Sequence, residues 1–120
     1  MTVLKFKFLL WMMPKLLQRA INTKPACAHY VAGKTLDFQI QTLDKVGRYF
    51  RIQDGQVRSF AGLTQAPKFT LTFRDADRGF KILSAKDGKA AFLAALHDGD
   101  LVISGDFVEV LWFQAFTESL

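Results

Sequence analysis

Two periodicities run along the chain. Near its start the apolar positions recur at helical spacing. Turned by about 100° per residue, Val3, Phe6, Leu9, Leu10, Met13, Leu17, Ala20 and Ile21 fall on one side, with Lys7, Lys15, Gln18 and Arg19 on the other. Leu4, Phe8 and Trp11 interrupt the basic side. Pro14 lacks an amide hydrogen and disfavours helix at the residue before it, which predicts two short helices or a kink at Met13 rather than one rod.

From Leu36 the period drops to two. Leu36, Phe38, Ile40 and Thr42 alternate with Asp37, Gln39 and Gln41, the pattern of a strand with one buried and one wet face. Arg48 to Gln53 predicts a second strand with Phe50 and Ile52 inward. Asp54-Gly55 then supplies the positive φ angles of a tight turn, and Val57 to Ala61 closes the hairpin. Beyond a loop from Gly62 to Pro67, Phe69, Leu71 and Phe73 alternate with Thr70 and Thr72 in a fourth strand.

The remainder mixes helix and strand. Asp75 is placed to cap a helix carrying Phe80 and Leu83, which Asp87-Gly88 ends. A second helix from Lys89 to His97 brings Phe92, Leu93 and Leu96 to one side, and Asp98-Gly99 stops it. Asp100 to Ser104 is a last strand with Leu101 and Ile103 on one face. Asp106 opens a final helix, with Glu109 three residues on as an acidic variant of the capping box. That helix, Phe107 to Phe116, has no continuous polar face. It must be covered on most sides, by the sheet, the N-terminal helices, a ligand, a partner or lipid.

Composition narrows the class. A chain of 120 residues holds one core, which excludes a multidomain enzyme. With 50% hydrophobic and 22% charged residues it folds rather than staying disordered. Twelve Phe are a surplus for a domain this small and point to a cavity or binding face for some of them. A lone Cys27 leaves no intramolecular disulfide and no paired-cysteine zinc site, which fits a reducing, cytoplasmic setting.

The net charge of +5 sits in one place. Residues 1–36 hold Lys5, Lys7, Lys15, Arg19, Lys24 and Lys34 and no carboxylate, while the rest holds 10 basic and 11 acidic residues. A near-neutral body with a basic, apolar arm suits an anionic membrane surface better than a nucleic acid. The arm itself reads as neither a signal nor a span. Its uninterrupted apolar run, Phe8 to Met13, is six residues, and the small-residue triplet Ala26-Cys27-Ala28 lies far beyond it. A transmembrane helix needs roughly 20 apolar residues. The arm, residues 1–33, is expected either to dock on the body, residues 34–120, or to touch the membrane interface or a partner.

Catalytic chemistry is not legible. Cys27 and His29 lie too near each other in sequence to prejudge their geometry and fall in a loop after Pro25, where a structural or incidental role is expected. His97 reads as a helix-end charge, and Asp98-Gly99-Asp100 reads as a turn. Asp75 and Asp77 are helix-start charges. No phosphate loop or HExxH occurs, so neither an enzyme nor a bound cofactor or metal is expected. Arg48, Tyr49, Phe50, Arg51 and Arg58 interleave basic and aromatic residues as an RNA-binding sheet would. However, Phe50 shares its inward face with Arg48, and no RNP1 pattern surrounds Gly47. Nucleic acid therefore ranks last, behind a structural or interaction role.

One resemblance adds to this. The segment Ala66-Pro67-Lys68-Phe69-Thr70-Leu71-Thr72-Phe73 leads into an acidic helix start, and Phe92 precedes Asp100-Leu101-Val102-Ile103-Ser104-Gly105-Asp106. Together they resemble the strand-to-helix motifs of the sterol carrier protein 2 (SCP2) superfamily over roughly residues 34 to 116. Lys68 stands where an acidic residue is common, and Asp100 where a basic one is. The resemblance implies an α+β fold: a five-stranded, mainly antiparallel sheet with helices on one face, around an apolar tunnel for a fatty, sterol-like or isoprenoid ligand. Small bacterial members with an N-terminal extension look like accessory factors of isoprenoid-quinone biosynthesis, which bind lipid intermediates without transforming them. Quinone-biosynthesis proteins and a second copy of the chain are then the protein partners to expect.

The candidate lipid-lining residues are Phe38, Ile40, Phe50, Ile52, Phe69, Leu71, Phe73, Leu101 and Ile103 from strands, and Phe80, Leu83, Phe92, Leu96 and Leu111 from helices. The candidate membrane contacts are Lys7, Phe8, Trp11, Lys15 and Arg19 of the arm with Trp112 and Phe113 of the last helix. They imply peripheral attachment to the inner face of a membrane.

Overall fold

Every period-two segment becomes a strand of one five-stranded sheet in the computed structural model, which describes residues 2–118. Two helices, α1 (Thr2–Thr23) and α2 (Pro25–Val31), precede β1 (Leu36–Thr42), β2 (Gly47–Gln53), β3 (Gln56–Ala61) and β4 (Phe69–Phe73). Then come α3 (Ala76–Leu83), α4 (Gly88–Asp98), β5 (Leu101–Gly105) and α5 (Phe107–Glu118). The architecture is α+β, with strand order β3-β2-β1-β4-β5. The β2–β3 turn has positive φ at both Asp54 (53°) and Gly55 (73°), as its sequence requires. Neighbouring strands are antiparallel except β1 and β4, which run parallel with Phe38 opposite Phe69 and Ile40 opposite Leu71. A parallel pair needs a long crossover. Here the β2–β3 hairpin and residues 62–68 supply it.

The alternation separates apolar from polar residues as predicted, but the face expected to be wet is covered at its centre. Gln39, Gln41 and Thr70 are buried, and Gln39 accepts from the Thr64 amide (2.9 Å) of the loop that follows β3. On the apolar face, Leu36, Phe38, Ile40, Phe50, Ile52, Phe69, Phe73 and Leu101 are buried, with the Phe38 ring stacked on Phe50 (5.1 Å) and Phe69 (5.0 Å). On the other, Gln39 and Gln41 donate to the hydroxyls of Thr70 and Thr72 (3.2 and 3.1 Å), and Arg51 forks onto Asp37 (2.8 and 3.0 Å).

The N-terminal helix departs from expectation. It continues through Pro14 as one helix and lies against α3 and the β2–β3 hairpin. A helix-interior proline costs about 3 kcal/mol, whereas each large apolar side chain fully buried gains about 1.5–3 kcal/mol. Phe6 and Leu10 before the proline, and Leu17 after it, are each 0% exposed. Packing on both sides of Pro14 therefore outweighs the lost hydrogen bond. Gln18 fastens the helix to the sheet edge, accepting from the Val57 amide (2.8 Å) and donating to the Gly55 carbonyl (3.2 Å). The segment after Pro25, expected as a loop, is α2, with Pro25 in its first turn and Cys27 buried.

Carboxylates start the later helices. Asp75 accepts from the Arg78 amide (2.8 Å), Asp87 from Ala90 (3.1 Å) and Asp106 from Val108 and Glu109 (3.0 and 3.3 Å). Glu109 instead reaches Lys34 at 2.6 Å. The amide of Arg78 is the main cause holding the Asp75 carboxyl below its ordinary pKa, helped by the Arg78 guanidinium. A lowered native pKa means the cap stabilises the fold fully at neutral pH, and that part is lost as the pH falls below about 4. Asp75→Ala should cost about 1 kcal/mol in urea unfolding at pH 7 and much less near pH 3; equal losses at both pH values would refute this.

Candidate functional site

Where α1, α3, α4 and α5 meet above β4 they do not close. They leave a cleft of about 680 Å³ with Leu71 of β4 in its lining. Leu9, Met13, Leu16 and Leu17 of α1 form one wall, Ile82 and Leu83 at the end of α3 another, and Phe92 of α4 faces Phe113, Gln114 and Thr117 of α5. The turn from Ala85 to Lys89 is the polar part of its rim. The chemistry offered is apolar, with amide and hydroxyl groups from Gln114 and Thr117 at one end.

Local sequence positions each wall. Gly105 has φ of +99°, and a Cβ there would sit 2.5 Å from the Lys68 carbonyl oxygen, so only glycine lets β5 end against β4. The Asp106 amide then donates to that same carbonyl (2.9 Å) while its carboxylate caps α5. This junction directs Phe113 onto the sheet, its ring 4.6 Å from Phe38 and 5.9 Å from Phe69. Tyr30 of α2 stacks on Trp112 (5.4 Å) and Phe116 (6.1 Å), its hydroxyl donates to the Trp112 carbonyl (3.1 Å), and Lys34 lies over the Trp112 ring at 4.8 Å.

Of the candidate lining residues, Leu71, Leu83 and Phe92 stand on the cleft. Phe38, Ile40, Phe50, Ile52, Phe69, Phe73 and Leu101 pack in the core beneath it, and Phe80, Leu96 and Ile103 are half-buried beside it. Leu111 is 55% exposed and turned away, a correction to its expected place. Phe113 is corrected in the opposite sense: expected at a membrane surface, it is 4% exposed and lines the cleft. Trp112 is half-buried in the Tyr30 stack. A helix apolar on every side gives no phase, so its sequence could not tell Leu111 from Phe113. The wall that α1 gives the cleft was missed, although Leu9, Met13 and Leu17 were already legible as its apolar side.

On the outer side of α1, Leu4, Phe8 and Trp11 are exposed (65, 55 and 47%) together with Lys7, Lys15 and Arg19. Phe8 and Trp11 touch (5.9 Å), and the Lys15 ammonium lies over the Trp11 ring at 4.2 Å. Asp100 takes the Arg78 guanidinium (3.1 Å), so its turn holds an ion pair. Among the described residues no group of three or more His, Cys, Asp or Glu could hold a metal, and no helix is long and apolar enough to cross a membrane.

No protein-family model matches the chain, and no curated protein matches its sequence. Solved structures do match. A ubiquinone synthesis protein described as UbiJ-SCP2 superposes with a TM-score of 0.69 at 16% identity, over 93% of this chain and 95% of that one. The chain has the SCP2-like fold. Sterol carrier protein 2 of Yarrowia lipolytica, in its apo form, aligns at 0.54 and 15% identity over 83% of this chain and 89% of its own. The inverting sec-alkylsulfatase Pisa1 of Pseudomonas sp. aligns at 0.56 and 13% identity over 73% of this chain, but only 14% of that enzyme. The SCP2-like fold thus occurs both as a whole chain of this length and as a small part of a larger one.

Proposed function

We propose that this chain binds one hydrophobic lipid in the cleft between α1, α4 and α5, without transforming it, and docks on an anionic membrane through the outer side of α1. The apolar cleft carries the reading: about 680 Å³ falls within the range of small-molecule pockets, and its lining is dominated by Leu, Ile, Met and Phe. The lipid class is fatty, sterol-like or isoprenoid-quinone. The likeness to a ubiquinone synthesis protein favours the last and makes quinone-biosynthesis proteins the partners to try first. A long apolar chain should not cross water unshielded, so a carrier needs a bilayer contact near its opening. Leu16 supports such a route, being 46% exposed yet part of the cleft wall.

Native mass spectrometry of the protein purified from cells, followed by lipid extraction, tests this. The wild type should carry a lipid adduct. Leu16→Glu should lose most of it while its thermal midpoint stays within a few degrees, because the substitution sits at an exposed rim. Wild-type protein that is empty and fails to take up a fluorescent fatty acid would refute the reading. The exposed ridge Phe107, Val108 and Leu111 of α5 favours a second contact, with a partner protein or a second copy of this chain. Size-exclusion chromatography of Leu111→Asp reads that separately.

A further inference from the structure

Five cations, Lys34, Arg51, Arg74, Arg78 and Lys81, each stand within 3.5 Å of a carboxylate. Four others, Lys15, Arg19, Arg48 and Arg58, have no such partner among the described residues, and they line one groove of about 750 Å³ between α1 and the β2–β3 hairpin. Its lining holds no acidic residue, and Trp11 gives it an aromatic flank. At the hairpin edge Arg58 stands opposite Arg51 on the other sheet face and donates to Gln56 (2.8 Å). Four positive charges gathered without a counter-charge repel one another, so the arrangement calls for an anion.

Arg48 makes the case specific. It lies on the inward face of β2, opposite Ile40 on one side and Ala61 on the other. One terminal nitrogen donates to the Ser59 hydroxyl (3.2 Å), but its Nε is buried with no acceptor. A buried donor left unpaired is costly, and an apolar side chain would fit this face better unless something accepts from the guanidinium. A guanidinium fork matches the oxygens of a phosphate. The groove also borders the exposed Leu4, Phe8 and Trp11 stripe, so an anion held here would lie at the level where those side chains meet a bilayer.

We infer that this groove binds the phosphate group of an anionic lipid headgroup, with Arg48 as its fork, Lys15 and Arg19 as supporting charges, and Arg58 as a charge at its hairpin edge. The inference rests on the docking reading above and adds a stereospecific site to what would otherwise be diffuse attraction.

Two measurements separate the sources of phosphate: calorimetric titration of the full chain with inorganic pyrophosphate, and flotation with phosphatidylcholine vesicles with and without phosphatidylglycerol. The wild type should float only with the anionic vesicles, and pyrophosphate should compete. Arg48→Met keeps the inward packing, and Arg58→Gln alters only an exposed edge. Each should weaken vesicle binding about tenfold while the cleft lipid and thermal midpoint persist. Lys81→Gln, whose charge is paired with Asp77, should change nothing. If Phe8→Ser and Lys7→Glu abolish flotation but Arg48→Met and Arg58→Gln do not, the groove is refuted and docking stands. If no vesicle retains the wild type, both fail. Pyrophosphate binding that needs Arg48 but no vesicle retention would assign the groove to a soluble phosphate compound and overturn the headgroup.

Discussion

Gly79→Leu is expected to force α1 off α3 and to lower the unfolding free energy by about 3 kcal/mol or more. A Cβ at Gly79 would lie 2.6 Å from Phe6 Cε1 and 3.3 Å from Phe73 Cδ2. Both rings are 0% exposed and meet edge to face at 6.4 Å, so neither has free space to enter. Gly79→Ala sets the scale. Overpacking costs about 1–3 kcal/mol, while alanine regains about 1 kcal/mol of helix propensity, so its net loss is about 0–2 kcal/mol. Leucine adds three more carbons with the same small gain. Urea unfolding measures the difference, and Phe6→Ala combined with Gly79→Leu should recover part of it, because the collision is then removed. A Gly79→Leu protein that unfolds at the wild-type midpoint would mean that α1 does not pack there. The same separation should empty the cleft, whose walls include Leu9 and Met13 of α1 and Ile82 and Leu83 of α3.

How far such contacts could be read in advance depended on whether the local chain had a phase. The alternation Leu36 to Thr42 has one, and it placed Phe38 and Ile40 in the core. It also put Gln39 and Gln41 on the opposite face, but not that this face would be buried with their amides bonded to Thr70 and Thr72. Asp75 and Asp106, each just ahead of an apolar stretch, marked helix starts because their short carboxylates can reach amides two or three residues on. The parallel pairing of β1 with β4 was not legible locally, since Phe69-Thr70-Leu71-Thr72-Phe73 alternates identically for either direction. Pro14 misled because its cost is local, whereas the packing of Phe6, Leu10 and Leu17 that outweighs it is tertiary. The motif Gly105-Asp106 carried more than its residue types disclosed: Gly105 allows close approach to the Lys68 carbonyl, and the Asp106 amide binds the same oxygen.

The cleft itself was only partly legible. Strand aromatics invited a cavity against the sheet, but stacked rings at about 5 Å fill that space in the case of Phe38, Phe50 and Phe69. The opening lies one layer higher, among helices whose mutual placement no single segment encodes.

Phe113→Ala tests that layer most directly, because Phe113 belongs both to the aromatic stack and to the cleft lining. Removing a buried Phe ring costs about 3–5 kcal/mol, a large share of the about 5–15 kcal/mol that holds a typical domain together. Leu111→Ala, two residues earlier but 55% exposed, should change stability by no more than about 0.5 kcal/mol. That contrast fixes the phase of α5 in a way its sequence does not. Guanidinium unfolding of the two variants decides it, and equal losses would show the helix to be rotated from the position described. The vacated ring space would open into a cleft that is already accessible. An added fatty acid such as palmitate should therefore raise the thermal midpoint of Phe113→Ala more than that of the wild type. A ligand at free concentration L that binds only the folded state stabilises it by RT ln(1 + L/Kd), and the enlarged site should lower Kd. If palmitate restores nothing, the space under α5 is sealed core, and the lipid route must enter between α1 and the turn from Ala85 to Lys89 instead.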